Sequence, residues 1–353
     1  MEPRNIEPLF SLKQVDKAAN NARTALMSNL NVAAEDEEII ENRRASHAHI
    51  LNTWQATLRG RVKKSECQVV FAQRQKRLPT IYDKFIRWPK IPFSLMQDIA
   101  GCRLIFQNQE DLQTFREALH TSKSMKHKLI KISDYIVNPK KSGYRGIHDI
   151  YEYHTQNRPD RSKKWDGLKV EIQYRTIIQH YWATAVEIAD CLTKGRIKYS
   201  DGNKDYLKFF QLASEMFARV YEKMNSCFPN KSNSELVKEF NDIESRIRLL
   251  AKLKAAKIAN IKNKFTSGNN VILDQYFDEQ GDAQINIEEF KSLPLAQKRY
   301  FELEQANPTH DIVLVRSNDI DSRNSIKNAY RNYFVDTVDF VKYLEKALLI
   351  LKK

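Results

Sequence analysis

The chain has 353 residues, 42% hydrophobic and 10% aromatic, with a formal net charge of +14 and a pI near 9.4. That length implies more than one domain or one large domain with an appendage, and the composition excludes global disorder. The charge points to an anionic partner; apolar runs far short of the ~20 residues needed to cross a bilayer exclude a membrane role.

Met1-Glu-Pro-Arg4 leads into no signal-peptide core, and the four scattered cysteines form neither a CxxC pair nor zinc spacing, so a reduced, cytoplasmic setting is expected. Val15, Ala18, Ala19, Ala22 and Leu26 recur at helical spacing. His47, Leu51, Trp54 and Leu58 do so again after the acidic start Glu35-Asp-Glu-Glu38, where carboxylates oppose the positive end of the helix dipole. Residues 67–72 alternate like a strand. Pro79 opens a helix, where its missing N–H does no harm. A strand over 98–106 and a helix over 110–120 follow. Residues 128–135 and 147–153 predict strands around a glycine-bearing turn, and 155–167 a basic loop. The clearest strand is 169–175: Val170, Ile172 and Tyr174 point to a core, while Lys169, Glu171, Gln173 and Arg175 point to a cleft. Thr176 and Gln179 form a capping box for a helix running through Ile188. The expected fold class is α/β (α+β), a mixed β-sheet with helices on one side.

Beyond the turn-rich stretch Phe228-Pro-Asn-Lys-Ser-Asn-Ser234, a charged helix is expected over 235–264, then a hairpin of strands 269–277 and 283–290. Pro294 opens a further helix, 311–315 predicts a strand, and Asp336 caps a last helix with the stripe Phe340, Val341, Leu344, Leu348 and Leu351. The expected division is 1–227 for a catalytic domain with its N-terminal helices, 228–264 for a linker and connecting helix, and 265–353 for a small C-terminal α+β module. Asp278-Glu-Gln-Gly-Asp282 partly imitates a calcium loop, but Ala283 holds the required glycine position, so it reads as a hairpin turn.

Three segments carry the chemistry: Asp98-Ile-Ala-Gly-Cys-Arg103, Gly143-Tyr-Arg-Gly-Ile-His148 and Val170-Glu-Ile-Gln-Tyr-Arg-Thr176. Asp98 and Glu171 are the candidate magnesium ligands, since Mg2+ takes one or two carboxylates and completes its shell with phosphate and water; Glu171 can also orient or deprotonate an acceptor hydroxyl. Arg74, Lys76, Arg77 and Lys84 cluster before and along a helix start and suit a polyphosphate, arginine by forking or stacking and lysine as a point charge. Arg103 and Arg175 follow the two acids and either close a phosphate cage or form structural ion pairs with them. Between two glycines, Tyr144 can offer its ring to a nucleobase, with His148 and Gln173 beside it. His148-Asp149 also looks like the HD dipeptide of metal hydrolases, but no metal-spaced partner accompanies it. Two further basic groups, Lys123, Lys126, Lys128 and Lys131, and Arg158, Arg161, Lys163 and Lys164, favour a nucleotide or nucleic-acid partner. Of the first, Lys126, Lys128 and Lys131 are candidate acceptor contacts.

RxKRxxTIxxK from Arg74, DIAGCR from Asp98, GYRGIH from Gly143, and EIQYRT from Glu171 with Gln179-His180-x-Trp182 together resemble the RelA/SpoT synthetase domain over about 40–220. Thr80 stands where serine is usual, and the family's hydrolase domain is not recognisable. The resemblance implies a nucleotidyltransferase-like domain that transfers the β,γ-pyrophosphate of ATP to a ribose hydroxyl. It assigns Arg74, Lys76 and Lys84 to ATP, Asp98 and Glu171 to Mg2+ and catalysis, and Tyr144 with His148 to the acceptor. Tyr330-Arg-Asn-Tyr333 resembles the YxxY segment of CapRel-type fused toxin–antitoxin proteins, in which a C-terminal module restrains a tRNA-modifying toxin until a phage protein binds. Three readings stay open: a self-restrained toxin acting on the 3′ CCA end of tRNA, a small alarmone synthetase acting on free GDP, GTP, AMP or ADP, and a catalytically dead RNA-binding or sensor protein. No DNA or membrane partner is expected.

Overall fold

The computed structural model describes residues 6–122, 125–155, 160–192, 204–255, 270–277, 283–307, 310–316 and 335–352. Helix α1 (Leu12–Met27) starts at a capping box between Ser11 and Gln14, and α2 (Ala34–Lys64) carries Glu35, Asp36 and Glu37 in its first turn. Five strands follow: β1 (Val69–Gln75), β2 (Ala100–Phe106), β3 (Lys128–Asp134), β4 (Ile147–Glu152) and β5 (Lys169–Thr176). They form one sheet in the order β1-β2-β5-β4-β3. Only β2 and β5 run parallel; the other neighbours are antiparallel. Helices α3 (Leu78–Arg87), α4 (Gln109–His120) and α5 (Ile177–Leu192) connect or follow these strands.

The two faces of the sheet differ as the alternation in β5 requires. Val170, Ile172 and Tyr174 are buried with Cys102, Leu104 and Tyr151 against Trp54 and Leu58 of α2 and Leu112 and Phe115 of α4. Each such side chain stabilises the fold by roughly 1.5–3 kcal/mol. The opposite face keeps Arg103, His148, Glu171 and Gln173, the polar alternates, only partly buried. At the end of β5 the predicted capping box forms: Thr176 N–H donates to Gln179 Oε1 at 3.0 Å and Gln179 N–H to Thr176 Oγ1 at 3.3 Å.

Four elements depart from the sequence reading. Asp98 lies in the loop before β2 rather than on the strand. A helix the sequence reading did not assign, α6 (Lys204–Phe217), buries Tyr206, Phe209, Phe210, Ala213, Met216 and Phe217 and runs into a π-helical turn over Ala218–Glu222. The long charged helix is two, α7 (Asn233–Ile247) and α8 (Leu249–Ala255). Arg248 breaks them at φ +52, and the Glu244 carboxylate accepts the N–H groups of Leu249 and Leu250, so the break is made by a side-chain cap where no glycine marks it. Last, Asp336 falls inside the first turn of the C-terminal helix α10 (Val335–Leu351). The apolar stripe of α10 is buried in one cluster with residues of α5, α6, α7 and α8.

A second sheet has the order β7-β6-β8, from β6 (Asn270–Phe277), β7 (Ala283–Phe290) and β8 (Asp311–Arg316), all antiparallel. Helix α9 (Leu293–Ala306) closes a small core of Ile272, Leu303 and Ile312. Phe277 pairs with Ala283 at the ends of β6 and β7, as a hairpin requires. The calcium-like turn 278–282 and the Tyr330–Tyr333 segment lie outside the described residues.

Candidate active site

On the β1 side, Asp98 gathers two cations. Its carboxylate accepts Lys76 Nζ at 3.0 Å and Lys84 Nζ at 2.7 Å. Burial by itself would raise this carboxyl, but the two ammonium groups outweigh it and bring it down to about 2. Lys76 is fixed at both ends of its peptide: its N–H donates to Ile99 O at 2.7 Å, and Arg44 Nε donates to its carbonyl at 2.8 Å. Arg74 stands on β1 opposite Gly101, which is in turn opposite Glu171 on β5. With glycine between them, no side chain separates the Arg74 and Glu171 positions on that row. The Arg74 side chain lies outside the described residues. Arg77, at the N-cap of α3, donates to the carbonyl of His310.

At the other end of β5 a hydrogen-bonded chain links three predicted residues. Tyr144 Oη and His148 Nε2 lie 2.6 Å apart, and His148 Nδ1 lies 2.8 Å from Glu171 Oε1. Burial opposes ionisation of all three, and their mutual contacts reverse it. Arg175 and His148 pull the Tyr144 phenol down to about 7. Tyr144 and Glu171 push His148 up to about 9, and His148 holds Glu171 below its usual range even though the Asp98 charge opposes this. Gln173 donates to Glu171 Oε2 at 2.7 Å and accepts from Arg103 and Arg175, both at 3.4 Å. Arg103 and Arg175 thus pair with Gln173 and Tyr144.

Two side chains here were missed by the sequence reading. Tyr135 meets the Tyr144 ring edge-on with centroids 5.8 Å apart, and Lys140 Nζ lies 4.3 Å from the Tyr135 centroid and 5.1 Å from that of Tyr144. A lysine four residues before the tyrosine in a tight loop was the available signal. Both glycines of this loop are required: Gly143 has φ +94 and Gly146 φ +150, a region that L side chains avoid. The HD dipeptide does not act as one unit. Asp149 points to the helix face, where Arg116 grips it twice at 2.9 Å and His120 lies at 2.7 Å.

The basic groups are distributed by strand register. Lys131 pairs with Ile150, which pairs with Glu171, so Lys131 shares the Glu171 row at the sheet edge; Lys128 is opposite Glu152 two rows further from Tyr144. Lys126 is exposed ahead of β3. Lys128 and Lys131 thus lie on the edge strand of the sheet rather than in the Tyr144 loop. Lys164 is turned to Glu7 at 2.6 Å, while Lys123 and Arg158 lie outside the described residues. No cluster of three or more His, Cys, Asp or Glu suited to a metal is present among the described residues; Asp98 and Glu171 are the two site carboxylates.

Residues 73–193 match the family described as "Region found in RelA / SpoT proteins". GTP pyrophosphokinase YjbM of Bacillus subtilis is 33% identical over 156 residues, 43% of this chain and 68% of the relative. The chain belongs to the RelA/SpoT family. It is therefore a transferase of the pyrophosphokinase type. The GTP pyrophosphokinase of Haemophilus influenzae is 25% identical over 174 residues, 21% of its own length. The small alarmone synthetase 1 of Bacillus subtilis bound to pppGpp superposes with a TM-score of 0.42 at 29% identity, covering 50% of this chain and 90% of that one. In this RelA/SpoT protein the matched segment holds Arg74, Asp98, Tyr144 and Glu171, while α6 to α10 and the second sheet lie beyond it.

Proposed function

We propose that this RelA/SpoT protein moves the β,γ-pyrophosphate of ATP onto a ribose hydroxyl, with donor and acceptor at opposite ends of the open face of β5. The observation that carries this is the placement of Glu171 between the Asp98–Lys76–Lys84 cluster and the Tyr144–His148 pair, coupled to both. Lys76, Lys84, Arg74, Arg77 and Arg103 take the donor phosphates and adenine. Tyr144, His148 and Gln173 orient the acceptor. The acceptor oxygen bonds to the β-phosphorus, the bond from that phosphorus to the α–β bridging oxygen breaks, AMP leaves, and Glu171 receives the hydroxyl proton. Asp98, beside Lys76 and Lys84, and Glu171, on the open face of β5, are oxygen donors of the kind magnesium takes, one or two carboxylates with phosphate and water completing its shell. Asp98 and Glu171 would hold such an ion, which would neutralise charge on the polyphosphate.

The acceptor is assigned as the 3′ CCA end of tRNA, supported by the net charge of +14 and by exposed Lys126, Lys128 and Lys131 along the sheet edge. Similarity to YjbM supports a second reading, synthesis of an alarmone on a free nucleotide. Labelled ATP offered with tRNA, GDP, GTP or AMP separates them. Label on tRNA is the expected result; label confined to a free nucleotide selects the second reading; no transfer to any acceptor sinks both.

We further propose a synthetase domain (1–227), a connecting segment (228–264) and a C-terminal module (265–353) that restrains the first until a phage protein binds, the module's last helix α10 being anchored on α5 to α8. Support for the restraint is that the second sheet's unit reaches the donor site. His310 takes the Arg77 guanidinium, and Glu304 of α9 takes Arg44, the residue that holds the Lys76 carbonyl, at 2.7 Å. Tyr330 and Tyr333 are spaced at i and i+3, the spacing that puts two rings on one face of a helical turn. Tyr333→Ala is expected to give a constitutively active, toxic chain, made harmless by Glu171→Gln. A soluble Tyr333→Ala protein with unchanged low activity would remove the restraint.

A further inference from the structure

The Tyr144 loop leans on a part of the chain outside the matched family segment, and it does so on both sides of the tyrosine. Before it, the carbonyl of Gly143 accepts Ser214 Oγ of α6 at 2.6 Å. The same glycine approaches α6 so closely that an added Cβ would meet Gln211 Cα at 3.2 Å, Phe210 O at 3.2 Å and Trp182 Cζ2 at 3.1 Å. After it, Arg145 enters the protein and forms an ion pair with Glu222, the side chains 3% and 4% exposed. Glu222 is the last residue of the π-helical turn that extends α6. Such turns interrupt the helical ladder and re-aim a side chain.

Glu222 does more than neutralise Arg145. Its Oε1 accepts Gln179 Nε2 at 2.6 Å and Thr176 Oγ1 at 3.2 Å, while Oε2 takes the arginine. Thr176 and Gln179 are the capping pair where β5 turns into α5, directly after Arg175, whose Nε reaches Tyr144 Oη at 3.2 Å. One buried carboxylate therefore ties the loop that carries Tyr144 to the strand end that carries Arg175. The turn bearing Glu222 is in turn held by the C-terminal helix, since Tyr221 Oη donates to the Tyr343 carbonyl at 2.7 Å.

We infer that Glu222 is a positioning residue of the acceptor site, fixing Tyr144 against Arg175 and His148 through Arg145 and the Thr176–Gln179 cap. It touches no reacting atom. This rests on the reading of Tyr144 as the acceptor contact. A buried carboxylate with three donors on it has no role in burying apolar surface, and a neutral side chain there would take from buried Arg145 its ion-pair partner.

The test uses the full chain, labelled ATP as donor, and deacylated tRNA and GDP in parallel as acceptors. Glu222→Gln is expected to raise the acceptor KM ~10-fold while the ATP KM changes less than ~2-fold, because only the acceptor's contacts lose their alignment. Glu222→Asp, which keeps the charge, should recover part of the loss. If Glu222→Gln does not fold, Arg145→Lys, which keeps the charge but not the guanidinium that reaches Glu222 and Met224, reads the same quantity. An unchanged acceptor KM, or equal rises for ATP and acceptor, overturns the proposal. Tyr144→Ala separates the two levels of inference. If it raises acceptor KM and the Glu222 and Arg145 variants do not, positioning by Glu222 is wrong; if it leaves acceptor KM unchanged, the assignment of Tyr144 falls and the proposal falls with it.

Discussion

Asp98 answers two ammonium groups with one carboxylate, so Asp98→Asn removes the charge that orders Lys76 and Lys84 as well as the oxygen proposed to hold magnesium. Loss of pyrophosphate transfer by about 10²-fold or more is expected, in a protein that still folds but melts lower, since two lysines lose their shared acid. Glu171→Gln should do the same through the proton-accepting group, and full activity in either variant would remove that residue from the site. A different residue sets an acid limit on stability. His47 is fully buried, with Nδ1 2.8 Å from Arg43 O. Burial and nearby Arg43 push it down to about 3. The unfolded chain therefore binds a proton there that the folded chain refuses between about pH 6.5 and 3. Stability conferred by neutral His47 is fully present above pH 6.5 and declines as pH falls through that window, by up to about 1.4 kcal/mol per pH unit. Denaturant melts at stepped pH should show a shallower acid limb for His47→Gln.

At the scale of elements, the Gly143–Gly146 loop and strand β3 make separate predictions. Gly143→Ala forces a side chain into contacts of 3.1–3.2 Å at a φ of +94. It should cost about 2 kcal/mol and raise the acceptor KM, read by thermal melting and kinetics together. Replacing Lys126, Lys128 and Lys131 with alanine should flatten the salt dependence of tRNA use by roughly 0.7–0.9 in log–log slope per lost phosphate contact. ATP use should stay as it was; an equal loss for ATP would place these lysines on the donor. The register already sets Lys128 and Lys131 along the edge of the open face and away from Tyr144, which a strand assignment alone does not reveal. Alternation identified β5 and its two faces because the side-chain period there is unambiguous. It did not identify α6, whose aromatic face resembles any buried helix and carries no motif.

On the scale of the whole molecule, Arg44 joins the synthetase sheet to the second sheet's unit. It is 2% exposed, pairs with Glu41 and Glu304, and lies 5.1 Å from the Phe301 ring. Glu304→Gln leaves Arg44 with one acid where it had two. Breaking a buried pair costs about 3–5 kcal/mol, so detachment of the α9 unit is expected before global unfolding, detectable as early proteolysis within 256–334. Coincident loss of both units in a single transition would show that this contact is not the seam.

The sequence by itself determined the family, through motifs standing in a fixed order, and with it the pyrophosphokinase class; alternation along β5 also announced which of its faces is free. It determined Gly143 and Gly146 as necessary, since the backbone there takes a conformation few other residues tolerate. Only the tertiary structure decided what holds those groups in place. Glu222 and Arg44 are 77 residues from Arg145 and 260 from Glu304, respectively. Pairs so distant leave no local pattern of period, cap or turn. Their meaning comes from burial, which turns an ordinary charge into one that must find its partner.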